Sequence, residues 1–329
     1  MASFPLEDYM NTVANYEHDE IVARENRAEF AGQCQTAVES TISSGLHYLI
    51  AIDGSEASDM AFHQCISLRR KQDYVTVFHA FRDNEEGTKE QYKADKLRAQ
   101  YEDELARHVT RGLYRLAWEP RGPHRSVAET IQSWLMEFRS NKSSNVGWHT
   151  PNFIMMGNRG RKAICGTTYA PLSSNSDWFL RSLQLPCIIT KRGRGSSKAT
   201  PKHWMMAIDG TVYTNRALDM LFTLIKPRDS LELFYVRPEK EALKDTQYIE
   251  YMREYYEKEL AEQGPANSTF KLIKKDKGET IADTVVRYVN SHDPHYLAMG
   301  PRATAYQHLS PLMVQVVNQV NCNLMVGMN

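Results

Sequence analysis

One segment of the chain is written twice. HYLIAIDGSEAS, residues 47–58, returns as HWMMAIDGTVYT, residues 203–214, and the two aspartates, Asp53 and Asp209, lie 209 − 53 = 156 residues apart. A period of that length is far beyond the roughly 20–50 residues of a solenoid unit, so the repeat is a whole domain written twice. Each copy reads as a buried apolar strand that ends in Asp-Gly and runs into a helix. Such a unit sets a carboxylate and a helix N-terminus at the carboxyl edge of a sheet, which is where open α/β folds bind ligands.

The remaining elements extend this pattern. After the first copy, strands are expected at 48–52, 74–81, 113–118, 152–157 and 186–190, with helices at 58–70, 85–111, 126–138 and 177–185. After the second, strands are expected at 204–208, 231–236, 269–274, 296–300 and 323–327, with helices at 214–225, 246–263, 280–290 and 311–320. Apolar and β-branched runs give the strands, and helical spacing of apolar residues gives the helices. Ser126 with Glu129, and Thr280 with Asp283, have capping-box spacing. Strands alternating with helices imply a parallel sheet covered on both faces. The last strand of each copy is expected to pair with its counterpart, because an open edge would invite association.

With 329 residues there is room for two domains of about 150 each. The boundaries read as an N-terminal helical extension at 1–45, a first domain at 46–192, a linker at 193–202 and a second domain at 203–329. In the extension Leu6, Met10, Val13 and Tyr16 fall at helical spacing. The stretch KRGRGSSKATPK, residues 191–202, is rich in Gly, Ser and basic residues and reads as flexible.

Composition excludes several partners. The net charge is zero, which gives no support for a polyanion partner such as nucleic acid. No apolar run reaches the ~18 residues of a membrane helix, and MASFPLEDYMNT does not have the charged-then-apolar layout of a signal peptide. A cytoplasmic protein is expected. Cys34, Cys65, Cys165, Cys187 and Cys322 form no CxxC pair and are expected to be free thiols. The eleven histidines show no metal-ligand spacing, so no metal is expected.

In one copy, Asp53 follows the first strand, His79-Ala80 lies in YVTVFHAF, and Gly157-Asn158-Arg159-Gly160 follows the fourth strand as IMMGNRGRK. Here the sequence resembles the universal stress protein family over residues 46–192 and 203–328, nearly everything but the extension and linker. The resemblance implies two tandem flavodoxin-like (adenine-nucleotide alpha hydrolase-like) domains. Each would be a five-stranded parallel sheet, and the two would associate through their last strands as an intramolecular pseudo-dimer. It also implies an adenine nucleotide, ATP, in those members that keep a G-x2-G-x9-G-[S/T] loop. The first-strand aspartate then lies near the adenosine, and backbone after the second strand reads the adenine edge. Carried over, these positions are Asp53 and Ala80. Glycines at Gly157 and Gly160, with Asn158, would form an anion nest beside a helix N-terminus.

The first copy departs from the pattern after Gly160. After nine intervening residues stand Ala170-Pro171 instead of Gly-Ser, and two alignments remain open, one placing Ser173-Ser174 there and the other Asn175-Ser176. Ser174 and Ser176 would be the hydroxyl donors, with Arg159, Arg161 and Lys162 supplying charge. The second copy departs further, because Gly300-Pro301-Arg302-Ala303 keeps one glycine and Pro301 removes a backbone donor. A nucleotide is therefore expected in the first copy only, and Asp209 is expected to persist as a turn residue.

His79, between apolar neighbours, reads as a packed histidine with one satisfied hydrogen bond. Tyr248, Tyr251, Tyr255 and Tyr256 read as largely a core or interface face. No SGGxDS-type, HIGH-type or GxxxxGK[ST] loop is present, so no catalytic residue is expected and the protein reads as a non-enzyme. The sequence thus points to a nucleotide-binding stress-response or signalling protein. The alternative is a structural or adaptor subunit that meets a protein partner through its N-terminal extension.

Overall fold

The computed structural model describes residues 45–82, 89–122, 124–140, 148–159, 172–182, 185–191, 197–237, 243–300 and 310–327. The chain divides into Met1–Gly45 and Leu46–Asn329. The expected N-terminal helix and Gly160 lie outside the described residues. The second unit holds both copies of the repeat.

Its first half runs β1 (His47–Ile52), α1 (Glu56–Leu68), β2 (Tyr74–Phe81), α2 (Ala94–His108), β3 (Tyr114–Pro120), α3 (Val127–Ser140), β4 (Phe153–Gly157), α4 (Ser174–Ser182) and β5 (Cys187–Thr190). The other half runs β6 (His203–Ala207), α5 (Val212–Leu224), β7 (Ser230–Arg237), α6 (Leu243–Gln263), β8 (Asn267–Lys274), α7 (Ile281–His292), β9 (Tyr296–Met299), α8 (Pro311–Gln319) and β10 (Asn323–Val326). Together they form one ten-stranded sheet in the order β3-β2-β1-β4-β5-β10-β9-β6-β7-β8. Every neighbouring pair is parallel except β5 with β10, which is antiparallel, with Leu324 opposite Ile189 and Val326 opposite Cys187.

β1, β4, β5, β9 and β10 are almost wholly buried, which is why they read as apolar runs rather than as alternating ones. One apolar layer joins the sheet to α1, α2, α5 and α6. The other joins it to α3, α4, α7 and α8. Both layers run through the two halves, so the tandem is a single three-layer body. The antiparallel junction also reverses the strand direction between halves, so their carboxyl edges, and any sites there, lie at opposite edges of the sheet.

Two lysines fasten the halves across the junction. Lys191, after β5, donates through Nζ to the carbonyls of Val317 and Val320 (2.9 Å for the latter) at the end of α8. Lys226, after α5, donates to the Ser67 carbonyl at the end of α1, at 2.6 Å. Each ammonium therefore sits at a helix C-terminus of the opposite half, where the partial charge is negative. Tyr296 adds a hydrogen bond to Gln64 across the same boundary.

The amino edge of the first half is plugged. His47 is buried; its Nε2 meets Thr76 Oγ1 at 2.8 Å and its Nδ1 the His149 carbonyl at 2.5 Å. Arg115 Nε donates to the same Thr76 oxygen at 3.1 Å. A carbonyl can only accept, so Nδ1 carries the proton of the neutral ring and Nε2 accepts the Thr76 hydroxyl. Burial holds this ring down to about 3. The guanidinium lies 4.2 to 5.1 Å from the rings of Phe138, Trp148 and Trp134.

Three expectations need correction. The long helix at 85–111 is replaced, in its described part, by a 3-10 turn Glu90–Tyr92 and then α2, because Lys93 between them is extended (φ −66°, ψ 145°). The helix expected at 177–185 starts earlier, at Ser174, because the Ser173 hydroxyl accepts the Ser176 N–H and caps it. The C-terminal part of the linker is pinned rather than flexible. Lys202 is buried, its N–H reaches Asp229 at 2.8 Å, and its Nζ reaches the carbonyls of Ser197 and Thr200.

Burial lowers the Lys191 amine from 10.5 to about 8. Between those values the unfolded chain carries a proton that the folded one has released, so this side chain favours folding more as pH rises through that window. In urea titrations, the stability of the wild type relative to Lys191→Met should increase from pH 8 to pH 10.5. A decrease over that range would reverse the assignment.

Candidate functional site

In each half the strand order reverses between the first and fourth strands, so the crevice of the fold opens at the carboxyl ends of β1 and β4, and of β6 and β9. The duplicated Asp-Gly sits at both. Gly54 and Gly210 adopt φ of +80° and +75°, which glycine reaches without a steric penalty. Asp53 Oδ1 accepts the Ser55 N–H at 3.0 Å, and Asp209 Oδ1 accepts the Thr211 N–H at the same distance. Ser55 and Thr211 then cap α1 and α5 by accepting the N–H of Ser58 and Thr214. The duplicated motif is therefore a strand-to-helix turn in both halves.

The fourth-strand glycines have a packing role as well. A Cβ on Gly157 would lie 2.6 Å from the carbonyl carbon and oxygen of Ala57 in α1. A Cβ on Gly300 would lie 2.7 Å from the Thr214 nitrogen in α5. Only glycine lets the first helix approach the fourth strand this closely. These glycines are thus legible as a nucleotide motif and at the same time required by the backbone.

In the first half, the structure brings Asp53, Gly157, Asn158 and Ser176 to the mouth between β1 and β4. Ser176 is buried and donates its hydroxyl to the Gly157 carbonyl at 3.0 Å, while also meeting Ser173 Oγ at 2.8 Å. Its donor points into the protein, contrary to its expected place among phosphate donors. Asn158 is tied at both peptide groups: its N–H reaches the Thr190 carbonyl and its carbonyl accepts from Ser173. Ser174 is exposed at the start of α4. The Tyr74 N–H donates to the Leu46 carbonyl. Peptide groups alternate sides along a strand, so Ala80 also faces β1; the pairing of Ile52 with His79 puts the Ala80 N–H on the Ile52 carbonyl, and because β1 ends at Ile52 its C=O faces the crevice. His79 is buried and its Nδ1 meets the Ile52 carbonyl at 3.0 Å, as the packing reading expects.

The second half, expected to be degenerate, contains a formed crevice of about 360 Å³, within the usual range for small-molecule sites. Its walls come from the ends of β6, β7 and β9 and from α7 and α8, with Phe234, Val236, Val285, Met299 and Leu312 among the lining residues and Asp209 at the mouth. Val236 stands where Ala80 stands in the first half. Phe234 accepts the Ile208 N–H at 3.0 Å, so the peptide groups of Val236, two residues on, face past the end of β6. A wider and shallower polar depression lies elsewhere, beside Gly122, His124, Arg125 and Glu129.

Sequence reasoning missed a second duplicated aspartate. Asp73 and Asp229, again 156 residues apart (229 − 73), are buried before β2 and β7. Asp73 accepts the N–H groups of Leu46 and Arg70, and Asp229 those of Lys202 and Lys226. Each ties the entry of the first strand to the end of the first helix. The repeat offset was the available signal. The tyrosine face is also split: Tyr256 is buried, whereas Tyr248 and Tyr251 are 46% and 49% exposed.

No family model matches the sequence, and no curated protein matches it. Solved structures do match. A universal stress protein from Archaeoglobus fulgidus DSM 4304 aligns at TM-score 0.55 and 16% identity, over 85% of this chain and 97% of that one. The chain has the universal stress protein fold. A putative universal stress protein from Pseudomonas aeruginosa UCBPP-PA14 matches at TM-score 0.55 and 15% identity, over 87% and 94% of the two chains. The cytoplasmic domain of a prokaryotic cation chloride cotransporter matches at TM-score 0.51 and 10% identity, over 87% and 96%. The universal stress protein fold is thus present here as a fused tandem. Among the described residues no helix is long and apolar enough to cross a membrane, and no cluster of three or more His, Cys, Asp or Glu could hold a metal ion.

Gly157→Ala should destabilise the protein by about 1–3 kcal/mol through the clash with Ala57. Ser176→Ala should cost about 1–3 kcal/mol by leaving the Gly157 carbonyl unpaired. Chemical denaturation checks both, and a neutral Gly157→Ala would contradict the packing role.

Proposed function

We propose that the protein is a non-catalytic ligand-binding protein with an adenine nucleotide such as ATP as the ligand of its first half, acting in a cytoplasmic stress-response or signalling role. One observation carries this reading: at the first switch point, the Ala80 carbonyl faces past the end of β1, where Asp53 follows. A backbone acceptor there suits the amino group of a flat heterocycle, and the carboxylate that follows β1 suits ribose hydroxyls. Ser174, exposed in the first turn of α4, and the basic run Arg159, Arg161 and Lys162 would serve the phosphates. Gly160 belongs to the same proposed set. Ser176 contributes indirectly, by drawing α4 onto the end of β4. The polar groups described there fix turns and caps, which supports holding a ligand rather than transforming one.

A second reading is favoured by one comparison. A tandem fold of this kind also forms the cytoplasmic domain of a transporter, so the body described here would serve equally as an adaptor, with residues 1–45 meeting the protein partner.

Calorimetric titration with Mg-ATP separates the two. Asp53→Ala, checked by circular dichroism to be folded, should weaken ATP binding at least about tenfold, the effect of one lost hydrogen bond of roughly 1.5–3 kcal/mol to a charged group. Absence of binding at millimolar ATP would sink the nucleotide reading. Removal of residues 1–44 should then release the protein from its assembly, which is the result the adaptor reading requires.

A further inference from the structure

The second-half crevice is not a copy of a nucleotide site. Among the described residues that line it there is no Lys, Arg or His, and the single charge is the Asp209 carboxylate. Phosphates need compensating donors and positive charge. Here the α8 N-terminus is already capped, because Ser310 Oγ accepts the Met313 N–H at 3.2 Å, and Pro311 at its first position carries no N–H.

Asp209 is arranged to act outward. Oδ1 takes all the donors of its own turn, namely the Thr211 N–H at 3.0 Å, the Thr211 hydroxyl at 2.7 Å and the Thr214 hydroxyl. Oδ2 takes none of them, and Asp209 is exposed. The turn therefore fixes the carboxylate while leaving one oxygen available at the mouth. Behind it the walls are mainly apolar: Val236, Val285, Met299 and Met313 are buried, and Leu312 and Ile281 flank the opening. Val236 adds one backbone donor and one acceptor at the lip.

We propose that this crevice binds a small non-phosphorylated molecule with an apolar body and a hydroxyl or amine head that donates to Asp209 Oδ2, and that it rejects anions. It goes beyond the nucleotide reading and is independent of it, because the two crevices lie at opposite edges of the sheet. The loss of glycines after β9, which reads in the sequence as the decay of a site, is here a change of ligand class.

The test uses three probes that share a body and differ in head charge: 2-phenylethylamine, 2-phenylethanol and 3-phenylpropionate. Each is titrated into the full chain at pH 7 by calorimetry, together with Mg-ATP. The amine should bind at least about tenfold more tightly than the acid, the alcohol should fall between them, and Asp209→Asn should bring amine and acid together. Ile281→Trp, at a position 40% exposed, should fill the mouth and abolish amine and alcohol binding while the circular dichroism spectrum stays the same. Arg302, outside the described residues, is checked with Arg302→Ala, which should leave the order unchanged. The proposal falls if none of the probes binds at millimolar concentration. It also falls if the acid binds as tightly as the amine, or if Asp209→Asn leaves their ratio unaltered. ATP binding that Ile281→Trp abolishes would likewise overturn it, whereas ATP binding lost only in Asp53→Ala belongs to the first half. Failure of ATP to bind at all overturns the first-half reading and leaves this one standing.

Discussion

The antiparallel pairing of β5 with β10 is the constraint on which the rest of the structure depends. Each half alone would end in an open edge of buried, apolar strand, with Ile188, Ile189, Leu324 and Met325 on it. Such an edge is a template for uncontrolled association. Joining the two edges turns two five-stranded sheets into one ten-stranded body, gives two continuous apolar layers, and brings α1 beside the second half and α8 beside the first. The lysine contacts depend on that placement. Lys191 and Lys226 can reach helix C-termini of the opposite half only because the junction sets those ends beside them.

The same pairing decides the geometry of function. Because strand direction reverses at β5–β10, the two switch points open at opposite edges. A single ligand cannot bridge them, and each is free to differ chemically. The amino edge of the first half does not compete, because it is filled by His47, Arg115 and the rings around them. That end of the first half is thereby closed to a ligand.

Much of this was legible in the sequence. The repeat at 156 residues, the alternation of strand and helix, and the pairing of the last strands all come from apolar periodicity and from the need to cover edges. His79 was legible because a histidine flanked by apolar strand residues has few options other than packing. What was not legible depends on direction. Nothing in the spacing of Ser173, Ser174 and Ser176 says that Ser176 turns inward to Gly157 while Ser174 stays exposed. The Lys93 break before the second helix lies inside a run of mostly good helix formers, and tertiary placement overrides that propensity.

The second-half crevice is hidden from the sequence for a different reason. The glycine pattern after β9 is a local signal, and its loss reads as loss of a site. A cavity, however, is a property of side chains far apart in the chain, here Val236, Val285, Met299 and Leu312. Its charge can be counted only once those elements are assembled. The duplicated Asp-Gly shows the same separation from the other side. It persists in both halves because a strand must turn into a helix there, with Gly54 and Gly210 at positive φ and each aspartate accepting the N–H two residues on. That shared turn leaves ligand chemistry to the residues around it. The two halves accordingly keep the same Asp-Gly turn at their switch points while the sequence places Arg159, Arg161 and Lys162 after β4 and the described residues beside β9 form mainly apolar walls with one carboxylate and no cation.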